Sequence, residues 1–247
     1  MDIEKIFLEK TDSTQQWAKR NSHKLDKNKM NIIVAQEQTH GKGRCKRCWF
    51  SPKKENIYAT FYFLLPKDLL HLTCIGQLLC LSLARLLIKK GLSPQVKWPN
   101  DILLSNKKVA GILCETFFSQ NFVEIFLGIG ININMDEENL EKIDQPATSL
   151  KKETKKIWDK FLFLDELLSF FIKDLEIFKK EGFAPFHSQM ENLLAYKGKQ
   201  ITYTDGEKKY QGIVHSISCD GEINLYFPET KKIKSFFSGD LSFIYLE

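Results

Sequence analysis

The chain predicts an α+β fold: a mixed sheet with flanking helices over residues 1–196, then a small β-barrel over residues 197–247. Three observations predict it. Strand-like apolar runs alternate with helical patterns through the first part, and one stretch, Thr73 to Lys90, is apolar on nearly every side, as a helix buried against a sheet should be. From Lys199 onward the texture changes to short alternating runs punctuated by Asp-Gly turns. At 247 residues and 43% hydrophobic content there is material for one sizeable core and one small one.

In order, Ile3 to Leu8 alternates weakly and reads as a first strand. Thr11 and Asp12 then offer a cap for a helix carrying Ser13-Thr14-Gln15-Gln16-Trp17-Ala18-Lys19, and capping alone would explain those three polar residues. The apolar run Ile32 to Ala35 and the alternating run Asn56 to Leu64 read as strands on either side of a long loop. The Thr73–Lys90 helix is stopped by Gly91, with Lys89 and Lys90 complementing its C-terminal dipole. Lys97-Trp98-Pro99-Asn100-Asp101 leads into Ile102-Leu103-Leu104, a Ser105-Asn106-Lys107 turn and the run Lys108 to Glu115. That is a hairpin with Lys108 at the start of its returning strand. Phe122 to Ile133 is a further strand with Gly128 and Gly130 on one face, where a neighbouring backbone or a ligand ring approaches closely.

After the acidic segment Asp136 to Asp144, a long helix places Ile157, Phe161, Leu164, Leu168, Phe171, Leu175 and Phe178 at alternating spacings of four and three. Extra apolar residues at Trp158, Phe163, Leu167 and Phe170 favour a wide core-facing stripe over a coiled-coil seam. Phe183 to Tyr196 forms another helix, ending before Gly198. The barrel strands are Ile201 to Thr204, Tyr210 to Ser218, Ile223 to Phe227, Ile233 to Phe237 and Leu241 to Leu246, with hairpin turns at Asp205-Gly206 and Asp220-Gly221.

The chemistry gathers in the loop from Gln38 to Pro52, which holds Lys42, Arg44, Lys46 and Arg47 beside Gly41 and Gly43. Glycines two apart let backbone N–H groups converge on an anion at positive φ, and a solvated basic loop is the competing reading. Neither common nucleotide motif is present: no Gly-x4-Gly-Lys-Ser/Thr occurs, and Lys46 stands where a dinucleotide fingerprint needs its third glycine. Net charge is +5, from 36 Lys and Arg against 31 Asp and Glu, so the positive field is focused on this loop and suits a small anion better than DNA. Six cysteines and no signal-peptide pattern argue for reduced thiols in a cytoplasm. Cys45 and Cys48 have a zinc-like spacing with no second pair to complete it, and the uncharged run Leu69 to Ala84 reads as too short and polar to span a bilayer.

Four motifs in this order, Gly41-Lys42-Gly43-Arg44 closing at Trp49-Phe50-Ser51-Pro52, Lys97-Trp98-Pro99-Asn100-Asp101, Lys108-Val109-Ala110-Gly111-Ile112-Leu113-Cys114-Glu115 and Gly128-Ile129-Gly130-Ile131-Asn132-Ile133-Asn134, resemble those of the biotin protein ligases. Pro146-Ala147-Thr148-Ser149-Leu150 is similar to a further short motif of that family. The resemblance implies a sheet like that of class II aminoacyl-tRNA synthetases, an SH3-like C-terminal barrel, and an AMP-forming ligase that joins biotin to a lysine of a biotin carboxyl carrier protein. It implies ATP and biotin as substrates, with Mg²⁺ held by the ATP phosphates rather than by a metal site of the protein. Homodimers are common among such ligases, and this sequence does not decide the point.

Carried over by position, the resemblance implies catalytic roles for Arg44, Lys108 and Asp101. Asp101 has three readings: general base, Mg²⁺ ligand or hairpin anchor. Biotin would be met by Ser13, Thr14, Gln15, Gln38, Lys42, Gly43, Arg44, Lys108, Gly111 and Gly128, and ATP by Gly41, Arg44, Arg47, Trp49, Asn100 and Asn132. Core packing for Trp49 and a turn bond for Asn132 are the alternatives. Gln15 is one methylene longer than the usual Asn. The family loop Gly-Arg-Gly-Arg-Arg-Gly-Arg-x-Trp has here Lys42 for an Arg, Cys45 for another and Lys46 for a Gly, which should stiffen it. A lipoate or octanoate ligase is the runner-up, disfavoured by the ureido-type donors and acceptors Ser13, Thr14, Gln15 and Gln38. A DNA-binding repressor needs a winged helix for which the Thr11 motif leaves no room after Met1, and a non-catalytic binding module has no reason to keep both Arg44 and Lys108.

Overall fold

The computed structural model describes residues 1–69 and 71–243. Seven strands make one sheet, in the order β1 (Ile3–Leu8), β2 (Met30–Ala35), β3 (Ile57–Pro66), β7 (Phe122–Ile131), β6 (Lys107–Phe118), β5 (Asp101–Leu104) and β4 (Gln95–Lys97). β1 and β2 are parallel, because helix α1 (Thr14–Asn21) lies in the connection between them; every other neighbour is antiparallel.

The alternation of β7 sorts its side chains to two sides. Ile125, Leu127, Ile129 and Ile131 join the main core with α2 (Ile75–Lys89) and α5 (Lys160–Glu181), while Phe126 packs with Ala18 of α1, Ile33 and Tyr62. As the sequence implied, α2 is buried along most of its length and closes at Gly91, at φ 81. With the 3₁₀ turn before it, Leu72–Lys89 is by length and composition apolar enough to cross a membrane, which the shorter uncharged run understated. Here 67% of it is buried inside the protein, packed beneath the sheet. Short helices α3 (Glu137–Leu140) and α4 (Leu150–Thr154) follow β7, and α6 (Ala184–Leu193) follows α5.

Two helix starts differ from expectation. Ser13, not Thr11 or Asp12, is the N-cap residue of α1, and its side chain makes no capping bond. Asp12 instead accepts from the Ser13 amide at 2.8 Å and takes the fork of Arg20 at 2.6 and 2.8 Å, which holds its carboxyl well below the usual range. In α5, Asp159 caps the N–H groups of Phe161 and Leu162, so Ile157 lies outside the helix and is exposed. The wide stripe is present: Phe163, Leu164, Leu167, Leu168, Phe171, Leu175 and Phe178 are all buried.

The C-terminal strands β8 (Gln200–Asp205), β9 (Lys208–Ile217), β10 (Ile223–Phe227), β11 (Lys232–Phe236) and β12 (Asp240–Phe243) form an antiparallel sheet in the order β11-β10-β9-β8-β12. The end of the last expected strand, residues 244–246, lies outside the described residues. Gly221 fastens this sheet to the large one. Its carbonyl accepts from Gln77 Nε2 at 2.7 Å and from Trp98 Nε1 at 2.9 Å.

Candidate active site

A cavity of about 310 Å³ opens on the sheet, roofed by the basic loop and bordered by β12. Its floor follows from strand register. Asp101, Gly111, Gly130 and Tyr58 lie opposite one another across β5, β6, β7 and β3, and the next row on that face holds Leu113, Gly128 and Thr60. Glycines in adjacent strands remove the side chains that would fill this face. Among the described residues what lies over them comes from the protein itself. A Cβ at Gly130 would meet the Trp49 indole at 2.3 Å, one at Gly111 would meet it at 2.9 Å, and one at Gly128 would meet Gln15 Oε1 at 2.7 Å. Neither a neighbouring backbone nor free space accounts for the glycines: the Trp49 ring lies over Gly111 and Gly130, and the Gln15 amide over Gly128.

The cationic side of the cavity is built by the hairpin and the loop. Lys108, second residue of β6, pairs with Asp101 at 2.8 Å, and its ammonium lies 5.3 Å from the Trp49 ring centre. Asp101 is buried, and its Oδ1 is the oxygen that takes the Lys108 ammonium, whereas Trp49 Nε1 is buried with no hydrogen-bond partner among the described residues. A buried donor left unpaired in a cavity wall is where a ligand has most to offer. Asn100 lines the same wall, its amide donating to the Ile112 carbonyl.

The loop departs from the expected anion nest. Gly43 has φ −110, and its N–H is spent on the Arg47 carbonyl at 2.8 Å. Positive φ falls instead on Cys45, at 51, and Lys46, at 61, the central residues of a turn closed by Arg47 N–H to Arg44 C=O at 3.0 Å. Lys42, Gly43, Arg44, Arg47 and Trp49 line the cavity and Gly41 does not. Gly41 is needed for another reason: a Cβ there would sit 2.4 Å from the Trp49 carbonyl and 2.7 Å from Ser51 Oγ.

The neutral polar side comes from α1 and its partners. Thr14 donates its N–H, at 2.8 Å, and its hydroxyl, at 3.2 Å, to Gln38 Oε1, while Gln38 Nε2 donates to Ser51 Oγ at 2.9 Å. Gln38 therefore holds the helix start against the loop. Gln15 Nε2 donates to Glu115 and to the Phe126 carbonyl, both at 2.9 Å, and its Oε1 accepts from Thr60 at 3.2 Å. Ser13, Thr14, Gln15 and Gln38 all line the cavity. Asn132 does not. It is buried, its Nδ2 donating at 3.0 Å to the carbonyl of Thr148, sixteen residues on, which is a bond across the fold rather than within a turn.

Of the lining residues that escaped the sequence reading, three bear on the chemistry. Lys97, half-buried on β4, was visible as the first residue of its motif; burial pushes its pKa down, offset in part by Asp101. Thr60, buried and polar within an apolar strand, was visible as the exception to its surroundings. Asp240, at the start of β12, gave no local signal.

Residues 7–132 match the model of the biotin/lipoate A/B protein ligase family. The bifunctional ligase/repressor BirA of Salmonella typhimurium is 30% identical over 211 residues, covering 85% of this chain and 65% of its own length, so this chain spans less than two thirds of that relative. The biotin–acetyl-CoA-carboxylase ligase of Paracoccus denitrificans is 29% identical over 234 residues, 92% of this chain and 96% of its own. Among solved structures, the biotin protein ligase from Aquifex aeolicus in complex with biotin and ATP superposes with a TM-score of 0.81 at 31% identity, covering 97% of each chain.

Proposed function

Since the chain belongs to the biotin/lipoate A/B protein ligase family, we propose that it activates biotin with ATP to biotinyl-5′-AMP and passes the biotinyl group to a lysine of a biotin carboxyl carrier protein. The observation that carries the proposal is the division of one cavity: Thr14, Gln15 and Gln38 on one side, and Arg44, Arg47, Lys97 and Lys108 on the other. An uncharged ureido ring needs donors and acceptors, while joining a carboxylate to a nucleotide needs fixed cations.

In the first step a biotin carboxylate oxygen attacks the α-phosphorus of ATP. A new O–P bond forms, the bond to the β-phosphate oxygen breaks, and pyrophosphate leaves. Arg44 and Lys108 draw the two anions together and stabilise the charge that builds on the phosphorus oxygens. Asp101, ion-paired to Lys108, holds that ammonium in register on a strand rather than serving as a base. Trp49, over Gly111 and Gly130, offers an indole face for adenine. Mg²⁺ would arrive on the nucleotide oxygens, which fits a site whose nearest carboxylate is already taken by Lys108. In the second step the acceptor lysine, as a neutral amine, attacks the acyl carbon: the C–N bond forms, the acyl–oxygen bond breaks with its electron pair on AMP, and the nitrogen gives up a proton to solvent.

To the same reading belong a catalytic unit of residues 1–196, an SH3-like barrel of residues 197–247, a class II synthetase-like sheet and a cytoplasmic setting. The deciding experiment is biotin-dependent exchange of labelled pyrophosphate into ATP, run beside lipoate and octanoate. Exchange with biotin alone, falling ~10²- to 10³-fold in Arg44→Ala and in Lys108→Ala, is the expected result. Exchange with lipoate or octanoate instead would move the substrate, and none with any acid would end the ligase reading.

A further inference from the structure

Asp240 belongs to the C-terminal sheet, yet both of its carboxylate oxygens are committed to the basic loop. Oδ1 accepts from Arg44 Nη1 at 3.1 Å and Oδ2 from Arg47 Nη2 at 2.5 Å. The neighbouring Gly239 carbonyl accepts from the same Arg44 nitrogen at 3.1 Å, and Arg47 Nε turns back to the Arg44 carbonyl at 3.3 Å. Among the described residues the loop's own bonds tie its two arms, through Trp49 N–H to the Gly41 carbonyl, Ser51 Oγ to the Trp49 carbonyl and a bridge between Lys42 and Cys48, while its tip has Gly43 N–H to Arg47 and Arg47 N–H to Arg44. Its turn runs through two non-glycine residues at positive φ, a conformation that costs energy and needs outside support. That support comes from a carboxylate that bridges two arginines three positions apart and offsets their mutual repulsion.

We propose that Asp240 is a positioning residue for the nucleotide: it presets Arg44 and Arg47 over the cavity, so that the C-terminal sheet sets how tightly ATP and the adenylate are held. The inference rests on the ligase reading above. Without the carboxylate, the loop has to be ordered at the expense of nucleotide binding, and the adenylate loses its cover. The ureido side, built from α1, β3 and Gln38, has no hydrogen bond to Asp240 among the described residues, so biotin, which meets Arg44 only through its carboxylate, should register the loss less than ATP does.

The test compares Asp240→Asn and Asp240→Glu with the unaltered chain, varying ATP and biotin separately in pyrophosphate exchange and trapping free biotinyl-adenylate. The expected result is a KM for ATP raised roughly tenfold in Asp240→Asn, more free adenylate per turnover, a KM for biotin within about twofold, and recovery in Asp240→Glu. An unchanged KM for ATP overturns the proposal. A lowered one does so too, since Asp240 would then be a competitor of phosphate. A fall in melting temperature with both KM values moving together, unrescued by Glu, would reduce Asp240 to a structural contact. No biotin-dependent exchange in the unaltered chain would overturn the ligase reading, and this inference with it.

Discussion

Lys97 shows how a single side chain can be kept at the expense of stability. Its ammonium is half-buried, and desolvation lowers its pKa; Asp101 opposes the shift while Lys108 adds to it. The sign is fixed by the proton balance. In the unfolded chain Lys97 keeps its proton to about pH 10.4, and in the folded chain it releases it sooner. Through the interval between those two values the unfolded state binds more protons, so folding stability rises with pH there, and below it the cost of the buried charge is present in full. Such a residue suits an anionic ligand that restores what burial took away. Lys97→Met should therefore raise the melting temperature at pH 7 by ~2–4 °C and weaken ATP binding roughly tenfold, read by thermal melting and calorimetry. A lower melting temperature would mean that Asp101 more than compensates the buried charge.

At the level of the element, the basic loop places two adjacent non-glycine residues at positive φ beside the cavity. Lys46 occupies a position at φ 61 that a glycine takes without penalty, and an L side chain there costs on the order of 1–2 kcal/mol. The strain works against the conformation that presents Arg44 and Arg47. Replacing Lys46 by Gly should keep the turn populated and lower the free biotinyl-adenylate found in a trapped turnover; equal amounts from both proteins would discard the idea. Periodicity and turn chemistry made the strands, the buried α2 and the stripe of α5 legible in the sequence, because these patterns are set by neighbours three, four or two residues away. The loop's internal geometry was not legible. Its glycines lie in ordinary regions of backbone space while Cys45 and Lys46 take the left-handed ones, a choice imposed by Asp240 and by the approach of residues 49–51. Thr11 and Asp12 misled for a similar reason: Arg20, two turns on, claims the carboxylate that would have capped the helix.

For the molecule as a whole, the cavity depends on how the C-terminal sheet is seated, since Asp240 can reach the loop only if β12 stands at the cavity's edge. The seat is narrow. The Gly221 carbonyl takes two buried donors, Gln77 from α2 and Trp98 from the segment between β4 and β5, while His71 pairs with Asp220 at 2.9 Å and Glu191 of α6 accepts from the Ile217 amide at 2.7 Å. The tryptophan of the Lys-Trp-Pro-Asn-Asp motif thus ties the second sheet to the cavity wall, which it lines together with Lys97, Asn100 and Asp101. Trp98→Phe removes one donor and leaves the other, for about 1 kcal/mol or ~2–4 °C in melting temperature, as does Gln77→Leu. Together they strand a buried carbonyl, so the double variant should lose more than the sum of the singles. If seating and nucleotide binding are coupled through β12, the double variant should also show the raised KM for ATP expected of Asp240→Asn, with the KM for biotin little changed. Additive melting losses together with an unaltered KM for ATP would show that the sheet is held elsewhere and that its seating at Gly221 is independent of the nucleotide.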